Sequence, residues 1–217
     1  MNYKMATNFI KHTILLLSII GLFVFATSPK QSKNMESAEN VLNTYVIDTA
    51  KSLLYWKAML HKGTVKFNSG EIVLFRENIE SAAFHINMNS IKNTDIEHDL
   101  LRTTLENVLK SDDLLRATSF PEAHFELHTA ERLTDSTFHF QGDFIIFDNG
   151  ICTSFDGNIT QKGDSLYFTT NLIPLDRTDW GIYYLSKNNL YPKEEEESME
   201  VPDTIFVQTR IVAYKKY

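Results

Sequence analysis

Apolar and polar residues alternate along much of the chain from residue 45 onward. One series contains Phe138, Phe140, Phe144 and Ile146, and a second runs through residues 205–213. A period of two is typical of a β-strand that buries one face, because successive side chains point to opposite sides. Comparable patterns cover residues 53–60, 82–88 and 165–173. The sequence therefore predicts a mainly β domain.

Short turn signals separate several of these runs. They are Asn68-Ser69-Gly70, Asp148-Asn149-Gly150 and Lys162-Gly163-Asp164. Glycine and asparagine accept the positive φ angles that tight hairpin turns require. Tight turns join strands that run in opposite directions, so neighbouring strands are expected to be antiparallel.

One segment has a helical period. Thr94 and Glu97 have the spacing of a capping box, in which two side chains satisfy N–H groups at a helix start. Apolar residues then follow at helical spacing: Leu101, Leu105, Val108 and Leu109. This predicts a helix from about Asp95 to Lys110 and a second short turn capped at residues 112–113. Many strands with one or two helices fit either a sandwich or a closed barrel. A sequence period of two does not distinguish these two architectures.

The N-terminal part predicts export. Lys4 and Lys11 precede an apolar run over residues 14–25, and Ala26-Thr27-Ser28 supplies small residues suited to cleavage. This arrangement is typical of a secretory signal, here residues 1–28, and the alternative is an uncleaved anchor. Residues 29–44 are mostly polar and predict a flexible linker. The folded domain is expected over residues 45–217, in a periplasmic or secreted protein.

Composition and motifs narrow the function. The formal net charge of -7 argues against a general nucleic-acid-binding surface. Cys152 is the single cysteine, interpreted as a half-buried strand residue, with a free thiol or an intermolecular disulfide as the alternatives. No nucleophile elbow or phosphate loop is present, so an enzyme is not expected. On a strand, His124 and His128 would lie about 13 Å apart, too far to share a metal. Neither a metal nor another cofactor is expected.

A series of weak motifs in a fixed order is more informative than any one of them. Its members are Tyr45-Val46-Ile47-Asp48 with Trp56, His61-Lys62-Gly63, Met88-Asn89-Ser90-Ile91 with Asp95, residues 109–115, Phe120-Pro121 with Ala123 and Phe125, Phe140 with Gly142, and residues 176–182. Together they resemble the YceI-like family of secreted lipid-binding β-barrels. Departures from the family pattern are Ala58, Asn87, Asp143-Phe144 and an apparent insertion at residues 194–197.

The resemblance implies a fold and a ligand class. Members of this family are antiparallel, eight-stranded, lipocalin-like barrels whose lumen typically holds a polyisoprenoid chain. A barrel of that size has room for one small ligand. Dimers are common in the family, so a homodimer is an expected assembly. Contact with a membrane is expected only transiently, while the lipid is loaded.

With the resemblance, ten residues are candidates for ligand contact. Aromatic side chains would form the wall of the lumen, although periodicity alone favours an ordinary packed core. His61 and Arg177 would meet a polar head group, although an exposed turn histidine and a structural pair of Arg177 with Asp176 and Asp179 are the preferred interpretations. The aromatic candidates are Trp56, Phe84, Phe120, Phe125, Phe140, Phe144, Phe168 and Trp180.

The resulting hypothesis is an exported protein that sequesters or carries an apolar lipid, such as a quinone or prenyl lipid, with a helix or loop over the barrel mouth. Two alternatives stay open. One is an interaction or structural barrel filled by its own side chains. The other is an enzyme acting on a small amphiphile near Arg177.

Overall fold

The computed structural model describes residues 41–188 and 200–217. The predicted signal at residues 1–28, most of the predicted linker and the tract 194–197 lie outside the described residues. The first strand begins at Leu42, within the last residues of the predicted linker. Within the described ranges, no helix is long and apolar enough to cross a membrane.

Ten strands, one α-helix and the short 3₁₀ helix Arg177–Trp180 make up the described fold. The alternating series around Phe140 and Val207 each lie within one strand, as predicted. In chain order the elements are β1 Leu42–Ile47, β2 Leu53–Ala58, β3 His61–Phe75, β4 Asn78–Asn93, α1 Asp99–Lys110, β5 Glu122–Arg132, β6 Thr137–Ile146, β7 Asn149–Lys162, β8 Ser165–Thr170, β9 Ile173–Asp176 and β10 Thr204–Lys215.

The strands close into an antiparallel ring of eight positions. From β2 to β8 each strand pairs with the next, and β10 closes the ring by pairing with both β8 and β2. β1 and β2 share one position, because both pair with β3 and β10. β8 and β9 likewise share one position, because they pair with successive stretches of β10, at residues 210–214 and 204–207. The predicted eight-stranded, lipocalin-like antiparallel barrel is confirmed.

Two of the three predicted turns join strands. Phe147 and Asp148 form the loop between β6 and β7 with φ of 55° and 60°, and Gly163 has φ of 58° in the loop between β7 and β8. The predicted turn at residues 68–70 was wrong, because β3 continues through it with a register irregularity between Phe67 and Ser69. Gly70 serves close packing instead, since an added Cβ would lie 2.6 Å from the Phe84 ring.

The helix is present but starts later than predicted. α1 begins at Asp99, and its N-cap residue, His98, makes no side-chain capping bond. The residues before it bind elsewhere: the Asn93 side chain accepts hydrogen bonds from the N–H groups of Asp95 and Ile96. The segment that resembled a capping box therefore connects β4 to α1 as a loop. The predicted second short turn is present at residues 112–115.

Phenylalanine rings fill much of the barrel interior. Their centroids are separated by 5.0 Å for Phe125 and Phe144, 5.1 Å for Phe140 and Phe168, and 6.2 Å for Phe84 and Phe125. Such separations are those of favourable edge and offset contacts. We call this set the aromatic cluster: Phe84, Phe125, Phe140, Phe144, Phe155 and Phe168.

Candidate functional site

A cavity of about 330 Å³ lies between α1 and the inner face of the barrel. α1 contributes Leu105, Val108 and Leu109, and the barrel wall includes Ile86 from β4 and Val207 from β10. The lining is almost wholly apolar. A lining of this kind favours ligands with an apolar body, because burying apolar surface releases water and polar groups would lose their hydrogen bonds.

Four of the ten candidate residues line this cavity. They are Trp56, His61, Phe144 and Arg177. Phe84, Phe125, Phe140 and Phe168 are buried in the aromatic cluster and are not among the lining residues. The structure thus places some candidates around the cavity and others in the filled interior, and Phe144 belongs to both groups. Whether either group contacts a ligand stays a prediction.

The other two aromatic candidates have structural partners. The Trp180 Nε1–H donates to the carbonyl oxygens of Phe144 at 3.2 Å and Asn149 at 3.0 Å, which fixes the turn after Asp176 against β6 and β7. Phe120 is half-buried and packs against Phe147 with ring centroids 5.1 Å apart. Neither lines the cavity.

Arg177 is buried beside the cavity and holds two separate segments together. Its guanidinium donates to the carbonyl oxygens of Ile182 at 3.1 Å and Tyr184 at 2.6 Å, and to those of Val201 at 2.9 Å and Pro202 at 3.3 Å. These carbonyl groups occupy much of its donor capacity.

The acid beside Arg177 differs from the sequence prediction. Within the described ranges, the carboxylate at ion-pair distance is that of Asp203, 3.2 Å from Nη2, and not Asp176 or Asp179. Asp176 instead accepts hydrogen bonds from the N–H and hydroxyl of Thr178. Burial lowers the pKa of Arg177, and the carboxylates of Asp203 and Asp176 oppose that shift.

A polar network fastens the segment before α1 to the β2–β3 hairpin. Asp95 accepts from Asn93 Nδ2 at 2.5 Å and from the Lys62 N–H at 3.0 Å, and lies 3.3 Å from His61 Nδ1. The buried Glu106 of α1 accepts from the Asn93 N–H at 3.0 Å. Burial raises the pKa of Asp95, but hydrogen bonds from Asn93, His61 and Lys62 outweigh it and lower the pKa overall. His61 thus lies at the edge of the cavity with its Nδ1 directed at a carboxylate.

Trp56 contributes a buried polar group to the cavity wall. Its Nε1–H is buried and has no hydrogen-bond partner among the described residues. The six-membered ring lies against Gly63, where an added Cβ would come within 2.7 Å of it and 1.8 Å of the Lys92 carbonyl oxygen. The absence of a side chain at Gly63 therefore permits the close approach of the indole to β3.

Sequence reasoning missed the aliphatic part of the cavity wall. Besides α1, the lining includes Met88 and Ile91 from β4 and Leu114 and Leu115 from the turn after α1. The available signal was the apolar face of α1, which has to cover something apolar. The sequence did not indicate which barrel end the helix would cover.

Histidines on the outer surface form groups that could hold a metal ion. His85, Glu122 and His124 bring three ligand atoms within 4.8 Å of one another, and so do His128, Asp143 and Cys152. Cys152 is exposed on β7, so its interpretation as half-buried was wrong. His124 and His128 belong to different groups.

Comparison with known proteins identifies the family. The model of the YceI-like domain matches residues 45–213, most of the chain. The chain belongs to the YceI-like family. No curated protein matches the sequence.

Solved structures share the YceI-like fold at low sequence identity. BcnA from Burkholderia cenocepacia is 17% identical with a TM-score of 0.61, over 76% of this chain and 98% of its own. A polyisoprenoid-binding domain from Saccharophagus degradans is 12% identical with a TM-score of 0.54, over 79% and 98%. A Campylobacter jejuni YceI protein is 16% identical with a TM-score of 0.51, over 75% and 82%. At these identities the likeness concerns the fold alone.

Proposed function

We propose that this protein is an exported carrier that sequesters an apolar lipid of the isoprenoid class in the cavity beneath α1. The observation that carries the proposal is the apolar lining of that cavity. Its volume of about 330 Å³ is at the lower end of the range typical of small-molecule sites, about 300–1,000 Å³. A short prenyl tail suits it better than a bulky or charged ligand. Membership of the YceI-like family and the fold shared with a polyisoprenoid-binding domain support the same ligand class.

The proposed mechanism needs no covalent step. The tail leaves water for the space between α1 and the barrel, and each Å² of apolar surface removed from water contributes about 25 cal/mol. A polar head group would remain near His61 and Arg177, which border the cavity. A quinone ring oxygen or another head-group oxygen of the lipid could also accept a hydrogen bond from the Trp56 Nε1–H after a small movement of the indole. This N–H has no partner among the described residues.

Export and loading complete the proposal. The segment 1–28 would direct the chain out of the cytoplasm, and lipid would be acquired during transient contact with a membrane. A homodimer is part of the proposal because dimers are common among proteins that this sequence resembles. The aromatic cluster supports the alternative of a barrel partly filled by its own side chains.

A matched pair of substitutions on β5 tests the site. Ala123 lines the cavity, whereas Ala130 lies on the same strand and does not. Ala123→Phe would fill the cavity without adding charge, so affinity for farnesol should fall at least tenfold, about 1.4 kcal/mol. The Ala130→Phe variant should keep the farnesol affinity of the unmodified protein. Native mass spectrometry and a fluorescence titration of Trp56 in a Trp180→Phe background would measure binding. Equal affinity of both folded variants would place the ligand elsewhere.

A further inference from the structure

The outer faces of β4 and β5 carry a cluster that the proposed lipid site does not use. Phe84 and Phe125 are paired across these strands and point into the aromatic cluster. Because successive residues of a strand point to opposite faces, their neighbours His85 and His124 point outward. His85 and His124 are also directly paired in the register. Glu122, two residues before His124, lies on the same outer face.

The three side chains converge on one point. Glu122 Oε2 is 3.2 Å from His85 Nδ1 and 3.8 Å from His124 Nε2. The imidazole rings meet edge to face at 79° with centroids 4.6 Å apart. One ligand atom from each residue lies within 4.8 Å of the others. For metal bonds of about 2.05 Å, tetrahedral ligand atoms are separated by about 3.3 Å. Small side-chain rotations would therefore bring this group to a metal-binding geometry.

The carboxylate is already oriented by an outer partner. Asn68 Nδ2 donates to Glu122 Oε1 at 2.7 Å, which leaves Oε2 directed at the two histidines. An outer hydrogen bond of this kind is a usual accompaniment of a metal ligand, because it fixes the ligand's orientation.

The exposure of these three side chains and their ligand atoms both suit a metal site. The side chains of His85, His124 and Glu122 are 40%, 32% and 32% exposed, so an ion can reach them from solvent. Two imidazoles and one carboxylate are borderline ligands that suit Zn²⁺ better than Ca²⁺ or Mg²⁺, which prefer oxygen. Three protein ligands leave a further coordination position for water or an added ligand.

We infer that His85, Glu122 and His124 form a surface site for a divalent transition metal, with Zn²⁺ as the ion it fits best. The ion links β4 to β5 on the outside of the barrel. On the inner face of the same two strands, Ile86 and Ala123 belong to the cavity wall. The site is independent of lipid binding, and it differs from a site shared by His124 and His128, since it joins residues across strands rather than along one.

The test is a titration with ZnCl₂ alone, using protein expressed from the full-length sequence. The Cys152→Ser substitution is made throughout, because Cys152 with His128 and Asp143 forms the second group of potential ligands. The expected result is one zinc ion per chain with a micromolar Kd by calorimetry, and an increase in Tm when zinc is added, because an ion that binds only the folded state stabilises it. Absence of saturable binding at submillimolar zinc would overturn the inference.

Matched variants locate the ion. His85→Gln/His124→Gln should weaken zinc binding at least tenfold and remove the increase in Tm, and Glu122→Gln should weaken it as well. The control is His128→Gln, which alters the other histidine on the outer face of β5 and should leave the Kd unchanged. Circular dichroism without zinc checks that each variant is folded. If His128→Gln abolishes binding while the double variant does not, the ion belongs to the other group and the inference is wrong.

Discussion

At the scale of single residues, Arg177 determines how the chain closes over one side of the cavity. Its guanidinium donates to carbonyl groups of two chain segments, one before residue 189 and one after residue 199. They are the carbonyl groups of Ile182, Tyr184, Val201 and Pro202. It also lies beside Asp203, whose side chain is only 10% exposed. Removing the arginine would leave the buried carbonyl groups without this donor and the Asp203 carboxylate without its ion-pair partner.

Arg177→Met is therefore expected to reduce stability strongly. Loss of one partner of a buried pair typically costs about 3–5 kcal/mol, because the remaining charge stays buried without compensation. Urea unfolding measures the free energy change. Arg102→Met is the matched control, since Arg102 pairs with the exposed Asp99 on α1 and its loss should cost less than about 1 kcal/mol. If Arg177→Met retains its stability but loses lipid affinity tenfold, Arg177 is a ligand contact rather than a structural residue.

A pair of glycines gives a second prediction at this scale. Gly63→Ala would place a methyl group 1.8 Å from the Lys92 carbonyl oxygen and against Trp56, whereas Gly150→Ala would meet no atom closer than 3.4 Å. Overpacking of this kind typically costs about 1–3 kcal/mol, so Gly63→Ala should be destabilised and Gly150→Ala should not. Thermal melting compares them. Equal Tm values for the two variants would contradict the close packing of Trp56 on β3.

At the scale of elements, the segment leading into α1 is held by hydrogen bonds rather than by the capping box that its sequence suggests. Asn93, Asp95 and Glu106 connect the end of β4, the β2–β3 hairpin and α1. The helix in turn covers the cavity with Leu105, Val108 and Leu109. The position of this cover therefore depends on a polar network at its edge.

Asp95→Asn should destabilise the protein in a pH-dependent way. The pKa of Asp95 is lowered in the folded state, so its contribution is present above the unfolded pKa of about 3.9 and is lost as the pH falls through the folded value. Because hydrogen bonds to charged groups contribute about 1.5–3 kcal/mol, a loss of about 1–3 kcal/mol is expected near neutral pH. Urea unfolding at about pH 7 and about pH 3 should show the difference shrinking in acid.

The matched control for Asp95 is another acid near the same helix. Asp99 is 88% exposed in the first turn of α1, and Asp99→Asn should change stability by less than about 1 kcal/mol at either pH. If Asp95→Asn lowers the free energy of unfolding equally across the pH range, the ionised form of the Asp95 carboxylate does not stabilise the fold.

At the scale of the whole molecule, the barrel combines a filled region and a hollow one. Strand β10 closes the ring between β8 and β2, and the aromatic cluster occupies much of the interior. The cavity remains where α1 replaces side chains of the barrel as one wall. This division explains how a domain rich in phenylalanine can be well packed and still have space for a ligand.

The N-terminal segment gives the prediction that concerns the whole chain. If residues 1–28 are an export signal, the mature protein should begin after a cleavage between about Phe25 and Ser28. Mass spectrometry of the protein isolated from its own host, together with cell fractionation, measures this. A chain that retains Met1 and is recovered from the cytoplasmic fraction would exclude export.

Local sequence patterns predicted several of the elements. Alternation along residues 138–146 and 205–213 predicted β6 and β10, because burial of one strand face is visible in the order of residues. The apolar positions from Leu101 to Leu109 predicted α1 for the same reason at a helical period. The ordered motifs predicted the barrel, which no single period could distinguish from a sandwich.

Tertiary structure alone decided which residues meet. Arg177 is paired with Asp203 rather than with its neighbours Asp176 and Asp179, and His124 lies beside His85 rather than His128. These contacts join residues that lie on, or directly next to, different strands, and the register of the whole ring determines them. A shift of one residue would reverse which side chains face inward. The sequence by itself therefore determined several of the strands, the helix and their apolar faces, whereas the closed sheet determined the cavity, its lining and the histidine cluster.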